Sequence, residues 1–368
     1  MKNNITLKLG ELFCGPGGLA LGAKMARLKK GGQDYRIEHV WANDYHQDTC
    51  ETYKNNIFSS VHGTVFCEDV RKLDVESLGK IDIFAYGFPC NDFSLVGKHK
   101  GFNGEFGPLY SYGIKILDRL KPRFFIAENV SGISSANDGM AFKAILEDLG
   151  SAGDGYELTA HLYKAEEYGV PQTRHRVIIV GVSKKLGGKF EVPAPTTKNN
   201  HVSVRQALEE PPISPTSFNN DLTRQSDVVL ERLSHIKPGQ NIWTAKLPDH
   251  LKLNIKGAKM SQIYRKLHPD KPSYTITASG GGGTHGYHYK YNRALTNRER
   301  ARIQTFPDDF QFFGSKESVR RQIGMAVPPL LSKVIFQSLF NMIAGVRYES
   351  VPANIKILGN AIDQLELV

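Results

Sequence analysis

The chain has 368 residues, 40% hydrophobic and 23% charged, with a formal net charge of +10. This balance excludes a disordered tail or a disulfide-stapled miniprotein, and the length fits one large folded domain with a smaller companion. The positive excess favours a polyanionic partner, of which nucleic acid is the commonest. No run reaches the roughly 20 apolar residues of a membrane span, and the start has no export signature, so a cytoplasmic protein with no membrane partner is expected. The four cysteines, at 14, 50, 67 and 90, form no C-x-x-C pair and are expected to be reduced. No metal is expected either, because His285 and His288 lack a second pair of ligands.

In chain order, NITLKLGELFCG predicts a strand running into a glycine turn, and LALGAKMARLKK a helix from about Leu19 to Lys30 closed by Gly31. YRIEHVWAND is a second strand and YHQDTCETYKNN a short helix. IDIFAYGFP is a strand with Cys90 just beyond it. GPLYSYGIKILDRLKP is helical up to Lys121-Pro122, FFIAENV is an apolar strand ending in acid and amide, and MAFKAILEDLG is a helix. More strand follows in YELTAHLYKAEEYGVPQTRHRVIIVGVS. The alternation predicts an α/β fold with a doubly wound, mostly parallel sheet, residues 1–183. Residues 184–290, rich in Pro, Gly, Ser and Asn, predict a smaller domain of mixed strand and loop. Residues 291–368 resume helical character, ending in the apolar stripe of PPLLSKVIFQSLFNMIAG.

Ligands of doubly wound sheets bind beyond the carboxyl ends of strands, where Gly15, Asp44, Cys90 and Glu128 all fall. FCGPGGLA also satisfies the dinucleotide pattern as Gly15-x-Gly17-x-x-Ala20, with Asp44 placed to bind a ribose. A nicotinamide dinucleotide and an adenosine-bearing methyl donor fit these residues equally, since both offer ribose hydroxyls to a carboxylate. Cys90 on its own reads as a small core residue or as a nucleophile. Arg174 and Arg176, two apart in an extended segment, are expected to share a face.

GFPCNDFS, ENV and QTRHR decide among these readings. Together they resemble the DNA cytosine-5 methyltransferase family, in the family's motif order and over almost the whole chain. The resemblance implies a class I, Rossmann-like methyltransferase core with a target-recognition domain at 184–290, using S-adenosyl-L-methionine and releasing S-adenosyl-L-homocysteine. It implies that Phe13, Gly15, Gly17, Gly18, Asp44, Tyr45, Asp69, Pro89, Ala326 and Val327 line the cofactor. Cys90 is the implied nucleophile on cytosine C6, Glu128 the group that assists at N3, and Arg176 the donor to O2, with Arg174 beside it. Ser94 is an expected donor to a backbone phosphate, Lys98 and Lys100 in a lid that opens at Gly97 are expected DNA contacts, and Gln172 of the arginine motif is an implied one. Thr277, Lys290 and Arg293, within TASGGGGTHGYHYKYNR, are expected groove or phosphate contacts.

Two positions depart from the family pattern: Asn91-Asp92 replace its usual Gln after the cysteine, and Gly324-Met325 replace its Gly-Asn. Because the reactive atoms of a duplex lie inside the stack, base extrusion is expected. A monomer is expected, with double-stranded DNA as substrate and a companion restriction endonuclease acting separately. A family member acting on transfer RNA keeps the same chemistry, but the sizeable recognition segment favours duplex DNA. A nicotinamide-dependent oxidoreductase explains the glycine turn and Asp44, and leaves Cys90, Glu128 and the arginines unexplained. A catalytically silent DNA-binding protein leaves the same set without a use.

Overall fold

The computed structural model describes residues 4–58, 63–89, 109–133, 139–254, 260–281, 283–355 and 357. Its backbone is organised by an eight-stranded sheet. β1 (Asn4–Leu12), β3 (Gln33–Asp44), β4 (Thr64–Cys67), β5 (Ile83–Gly87) and β6 (Phe124–Val130) run parallel, and β8 (His175–Ser183) is antiparallel between β6 and β7 (Tyr156–Lys164). The order is β2-β3-β1-β5-β6-β8-β7, with β4 also on β3. This is the expected doubly wound sheet, with the direction reversed at β8 and at β2 (Leu28–Lys30).

The strand β2 was not expected. The helix read from Leu19 to Lys30 is α1 (Gly18–Met25) and stops five residues earlier. Leu28–Lys30 instead turn back on Gln33–Tyr35 as a hairpin. Gly31 and Gly32 both take positive φ, 57° and 78°. Two consecutive residues of that kind make a hairpin turn rather than a helix cap.

One face of the sheet is covered by α3 (Tyr110–Leu120) and α4 (Met140–Ser151). Ile116, Leu117, Phe142, Ile145 and Leu149 are buried there with Phe84, Tyr86, Phe125 and Val177. A shift in the β1–β3 register after Leu9 leaves Val40 unpaired and turns Trp41 into this cluster. α2 (Gln47–Ile57) packs on β3 and β4. α9 (Pro329–Ile343) brings its apolar stripe back into the core with Ile335, Phe336 and Leu339 fully buried. Ser332 Oγ donates to Leu19 O of α1 at 2.7 Å.

Contacts divide the chain into two units. The first is Met1–Lys164, His175–Pro195 and Leu331–Val368, and the second is Ala165–Arg174 and Thr196–Leu330. These borders differ from 1–183, 184–290 and 291–368. The excursion at 165–174 joins the second unit through Gln172 and Arg174, whose side chains bond to residues 276, 303, 304, 324 and 326. The expected strand content of the smaller region is also absent: among the described residues the second unit holds α5 (Val204–Glu209), α6 (Asp227–Ser234), α7 (Asn297–Ile303), α8 (Lys316–Met325) and isolated bridges. The small β9–β10 pair (Val192–Pro193, Ser350–Val351) belongs to the first unit.

Candidate active site

In the first unit the carboxyl ends of β1, β3, β5 and β6 bring the expected residues to one end of the sheet. After β1 the chain turns sharply: Phe13, Gly15 and Gly17 have φ of 52°, 55° and 96°, and α1 starts at Gly18. A Cβ added at Gly15 would meet nothing within 4 Å, so the bare Cα faces open space. At Gly17 it would press on Ile57 at 3.0 Å and Tyr53 at 3.2 Å. The first glycine therefore serves approach from outside and the second packing from within.

Asp44, at the end of β3, ties this turn down. Its Oδ2 accepts the Gly15 N–H at 3.0 Å and its Oδ1 the His46 N–H at 3.1 Å. Burial raises its pKa, and the two N–H donors work against that rise. The next residue, Tyr45, leaves 74% of its surface exposed, an unusual exposure for an aromatic beside a buried turn. Asp69 follows β4 and caps a short 3₁₀ turn by accepting the Arg71 N–H at 2.9 Å. The Arg71 guanidinium grips both its oxygens, which holds its pKa down at about 2.

An open glycine, a carboxylate, a presented ring and a second carboxylate make a donor–acceptor set that fits an adenosine-bearing ligand.

Glu128 and Arg176 form the other half of the site. In the β6–β8 register Arg176 faces Val130, two residues from Glu128, so the two side chains are diagonal neighbours on one face. Arg176 Nε donates to Glu128 Oε1 at 2.7 Å, with about one-eighth of each side chain exposed. Arg176 Nη1 donates to His175 O at 2.7 Å. Gly87, paired with Glu128 across β5 and β6, leaves the carboxylate room: a Cβ there would lie 3.1 Å from Oε2. Asn129 donates Nδ2 to Phe88 O at 3.0 Å, and its Oδ1 accepts the Val130 N–H at 2.8 Å. That clamp fixes the exit of β5, and Pro89, half-buried, follows it. Cys90, Ser94, Lys98 and Lys100 lie outside the described residues.

Several expected residues are placed differently. Arg174 does not share the face of Arg176. It is 1% exposed within the second unit, where Nη1 donates to Ile276 O and Nη2 to Gly324 O and Ala326 O, at 2.9–3.1 Å. The strand alternation that the spacing assumes begins only at His175.

Gln172 is fully buried, bonded to Gln304, Ile303 and Ile276, which leaves no surface for a DNA contact. Arg293 gives both Nη atoms to Glu299, so its charge is locally matched. Lys290 is exposed, and Thr277 Oγ1 lies 3.1 Å from Ser279 Oγ. Ala326 and Val327 are buried in the second unit. Among the described residues no group of three or more metal-ligating side chains is arranged to hold an ion.

Glu11 and Gly87 were not singled out from the sequence. Glu11 is 1% exposed, accepts the Tyr53 hydroxyl at 3.0 Å, and has its pKa raised to about 8, chiefly by burial. Its position inside an apolar strand, two residues before the glycine turn, was the available signal.

The comparisons with known proteins agree with this geometry. The family model of the C-5 cytosine-specific DNA methylases matches residues 7–341. The chain is 55% identical over 349 residues to the Type II methyltransferase M.BbvI of Brevibacillus brevis, covering 93% of each. It is 42% identical over 332 residues to M.NgoFVII of Neisseria gonorrhoeae, covering 88% of this chain and 83% of that one.

Among solved structures, a prophage-encoded DNA modification methyltransferase of E. coli superposes with a TM-score of 0.69 at 25% identity, over 92% of this chain and 99% of that one. The Entamoeba histolytica methyltransferase EhMeth shares the fold, with a TM-score of 0.65 at 16% identity over 92% and 99%. The chain belongs to the C-5 cytosine-specific DNA methylase family and is a DNA cytosine-5 methyltransferase of the restriction–modification type, dependent on S-adenosylmethionine.

Proposed function

We propose that Cys90 adds its thiolate to C6 of a cytosine turned out of a duplex, and that Glu128 and Arg176 carry the charge this creates. The observation that carries the reading is the Glu128–Arg176 ion pair at the sheet end, beside Gly87, which precedes Cys90 by three residues in the chain. Attack at C6 breaks the aromatic ring and pushes electrons toward N3 and O2. Glu128 holds a proton at N3. Arg176, with Nε on Glu128, turns Nη2 to O2, so one guanidinium orients the acid and meets the base. C5, now enamine-like, accepts a methyl group, which S-adenosylmethionine supplies when bound. Loss of the C5 proton and expulsion of the thiolate complete the cycle. Arg174 acts as a positioning strut for the loops at 276 and 324–326 rather than as a catalytic group.

For the cofactor, Asp44 holds the ribose hydroxyls, Tyr45 packs on the adenine, and the Phe13–Gly18 turn presents its backbone. Asp69 meets the adenine amino group once it exchanges Arg71 for it. Pro89 completes the lining supplied by the first unit. Residues 184–290 read the target, with Thr277 and Lys290 at the DNA, while Ser94, Lys98 and Lys100 close on the phosphates. The enzyme works as a cytoplasmic monomer, alongside a separate cognate endonuclease.

The deciding test is a random-sequence duplex library methylated by the protein, followed by a matched duplex with 5-fluorocytosine at the mapped position. C5 then has no proton to lose, so a covalent protein–DNA complex accumulates with the wild type and is missing with Cys90→Ser. A wild-type protein that methylates the library but traps no complex would rule out the addition route.

A further inference from the structure

We propose that Arg320, backed by Arg300, forms a phosphate-binding site beneath the glycine-rich loop of the second unit and takes one backbone phosphate of the DNA substrate. The inference deepens the reading that this unit contacts duplex DNA, and rests on it.

The loop lies directly on α8. A Cβ at Gly324 would fall 2.2 Å from Ala278 N, so only a glycine lets the helix touch the loop backbone there. One turn earlier on α8, Arg320 lies flat under Gly280, where a Cβ would sit 2.4 Å from its Nε. Arg320 Nη2 donates to Gly280 O at 3.2 Å, while its Nε is buried without a partner. Arg300 of α7, near enough for the two charges to repel, is 4% exposed, with one 3.3 Å bond to Leu295 O and a buried Nε that also lacks a partner.

The two cations have little to neutralise them among the described residues. Glu317 stands 3.9 Å from Arg320 and is 84% exposed. Glu299 is committed to Arg293 through both oxygens, with His288 at 3.6 Å. The half-buried His285 is pushed toward its neutral form by burial and by Arg300 and Arg320. Tyr274 and Tyr287, both near Arg300, are held neutral by burial. Burying a guanidinium without its counter-charge costs several kcal/mol. Two of them side by side, each with unused donors, form a site that lacks its anion.

The surface above is suited to a phosphate. Gly281 has φ of 148° and faces open space, so no side chain keeps an anion off the backbone there. The Thr277 and Ser279 hydroxyls lie at the loop's entry, 3.1 Å apart. A phosphate brings several acceptor lone pairs, and Arg presents five donors in a fixed fork. Such a contact carries no sequence information but fixes the register of the protein on the duplex.

The test measures duplex binding against KCl concentration, using a duplex with the mapped target and S-adenosylhomocysteine present. Arg320→Gln is expected to bind about tenfold more weakly at moderate salt, with the log–log salt slope shallower by about 1. Its melting temperature should rise, because a like-charge pair has been removed. Arg320→Lys should recover the slope and part of the affinity, and it keeps the test valid if the glutamine variant folds poorly. Equal affinity and slope in wild type and both variants would overturn the site. Inorganic phosphate that raises the melting temperature of wild type but not of Arg320→Gln, with DNA slopes unchanged, would assign the site to free anion and overturn the DNA assignment. Failure of the wild-type protein to bind any duplex would instead overturn the underlying reading of the second unit.

Discussion

The two units satisfy their buried backbone in different ways. In the first unit the strands bond to one another along long registers, interrupted between β1 and β3 only at Val40, and side chains are left to fill space or do chemistry. In the second unit, where strands are absent among the described residues, buried arginines and amides take over. Arg298 donates to the carbonyls of Phe218, Pro307 and Phe310, Arg232 to Leu251 O, Gln304 to Ile323 O, and Arg174 to three more. A basic composition therefore does two jobs here. Part of the charge sits on the surface, and part serves inside as multi-armed hydrogen-bond donors to loops that have no ladder. Arg174 and Arg176, two residues apart, fall on either side of that divide.

The sharpest contrasts come from substitutions. Cys90→Ser should lower methyl transfer by roughly 10³-fold or more while the protein still binds duplex; single-turnover transfer of labelled methyl checks it, and near-normal turnover would remove the nucleophile. Arg174→Met should leave three carbonyls of the second unit without their donor and cost roughly 3–5 kcal/mol in denaturant unfolding. A loss of activity with unchanged stability would place Arg174 with the chemistry instead of the scaffold. Arg176→Lys should do the reverse, lowering kcat by about 10²-fold with little change in stability, because an ammonium cannot serve Glu128 and the base together.

Glu11→Gln gives the smallest effect and separates burial from function. With its carboxyl pKa raised to about 8 in the fold, against an ordinary value of 4.5, Glu11 releases its proton more readily in the unfolded chain. Stability from this group therefore falls as pH climbs from about 4.5 to 8. The variant should match wild type near pH 4.5 and melt a few degrees higher near pH 8. Parallel melting curves across that range would refute it.

Most of the first unit was legible because strand periodicity and turn glycines act locally. β1, β5, β6 and the helices α2 and α3 follow their sequence patterns, and Asp44 and Glu128 stand at the strand ends where they were expected. The failures occur where a local pattern has two solutions or a distant partner decides. Gly31-Gly32 can cap a helix or turn a hairpin, and pairing of Leu28–Lys30 with Gln33–Tyr35 settles it. The burial of Gln172 and Arg174 depends on backbone groups about a hundred or more residues away, which no window of sequence contains. The clamp of Asn129 on Phe88 O was half visible, as an amide at the end of an apolar strand without its acceptor.

The ten-residue excursion at Ala165–Arg174 has a consequence for synthesis of the chain. When β8 emerges and can pair with β6 and β7, the carbonyls that Arg174 will bind, 102 to 152 positions beyond it in the chain, are still to come. The outer face of α1 waits longer, since Ser332 is the partner of Leu19 across 313 positions. A ribosome carrying the first half of this protein holds a nearly complete sheet with a guanidinium and a helix face awaiting their partners, so a message cut short before residue 331 would yield a chain with that face uncovered.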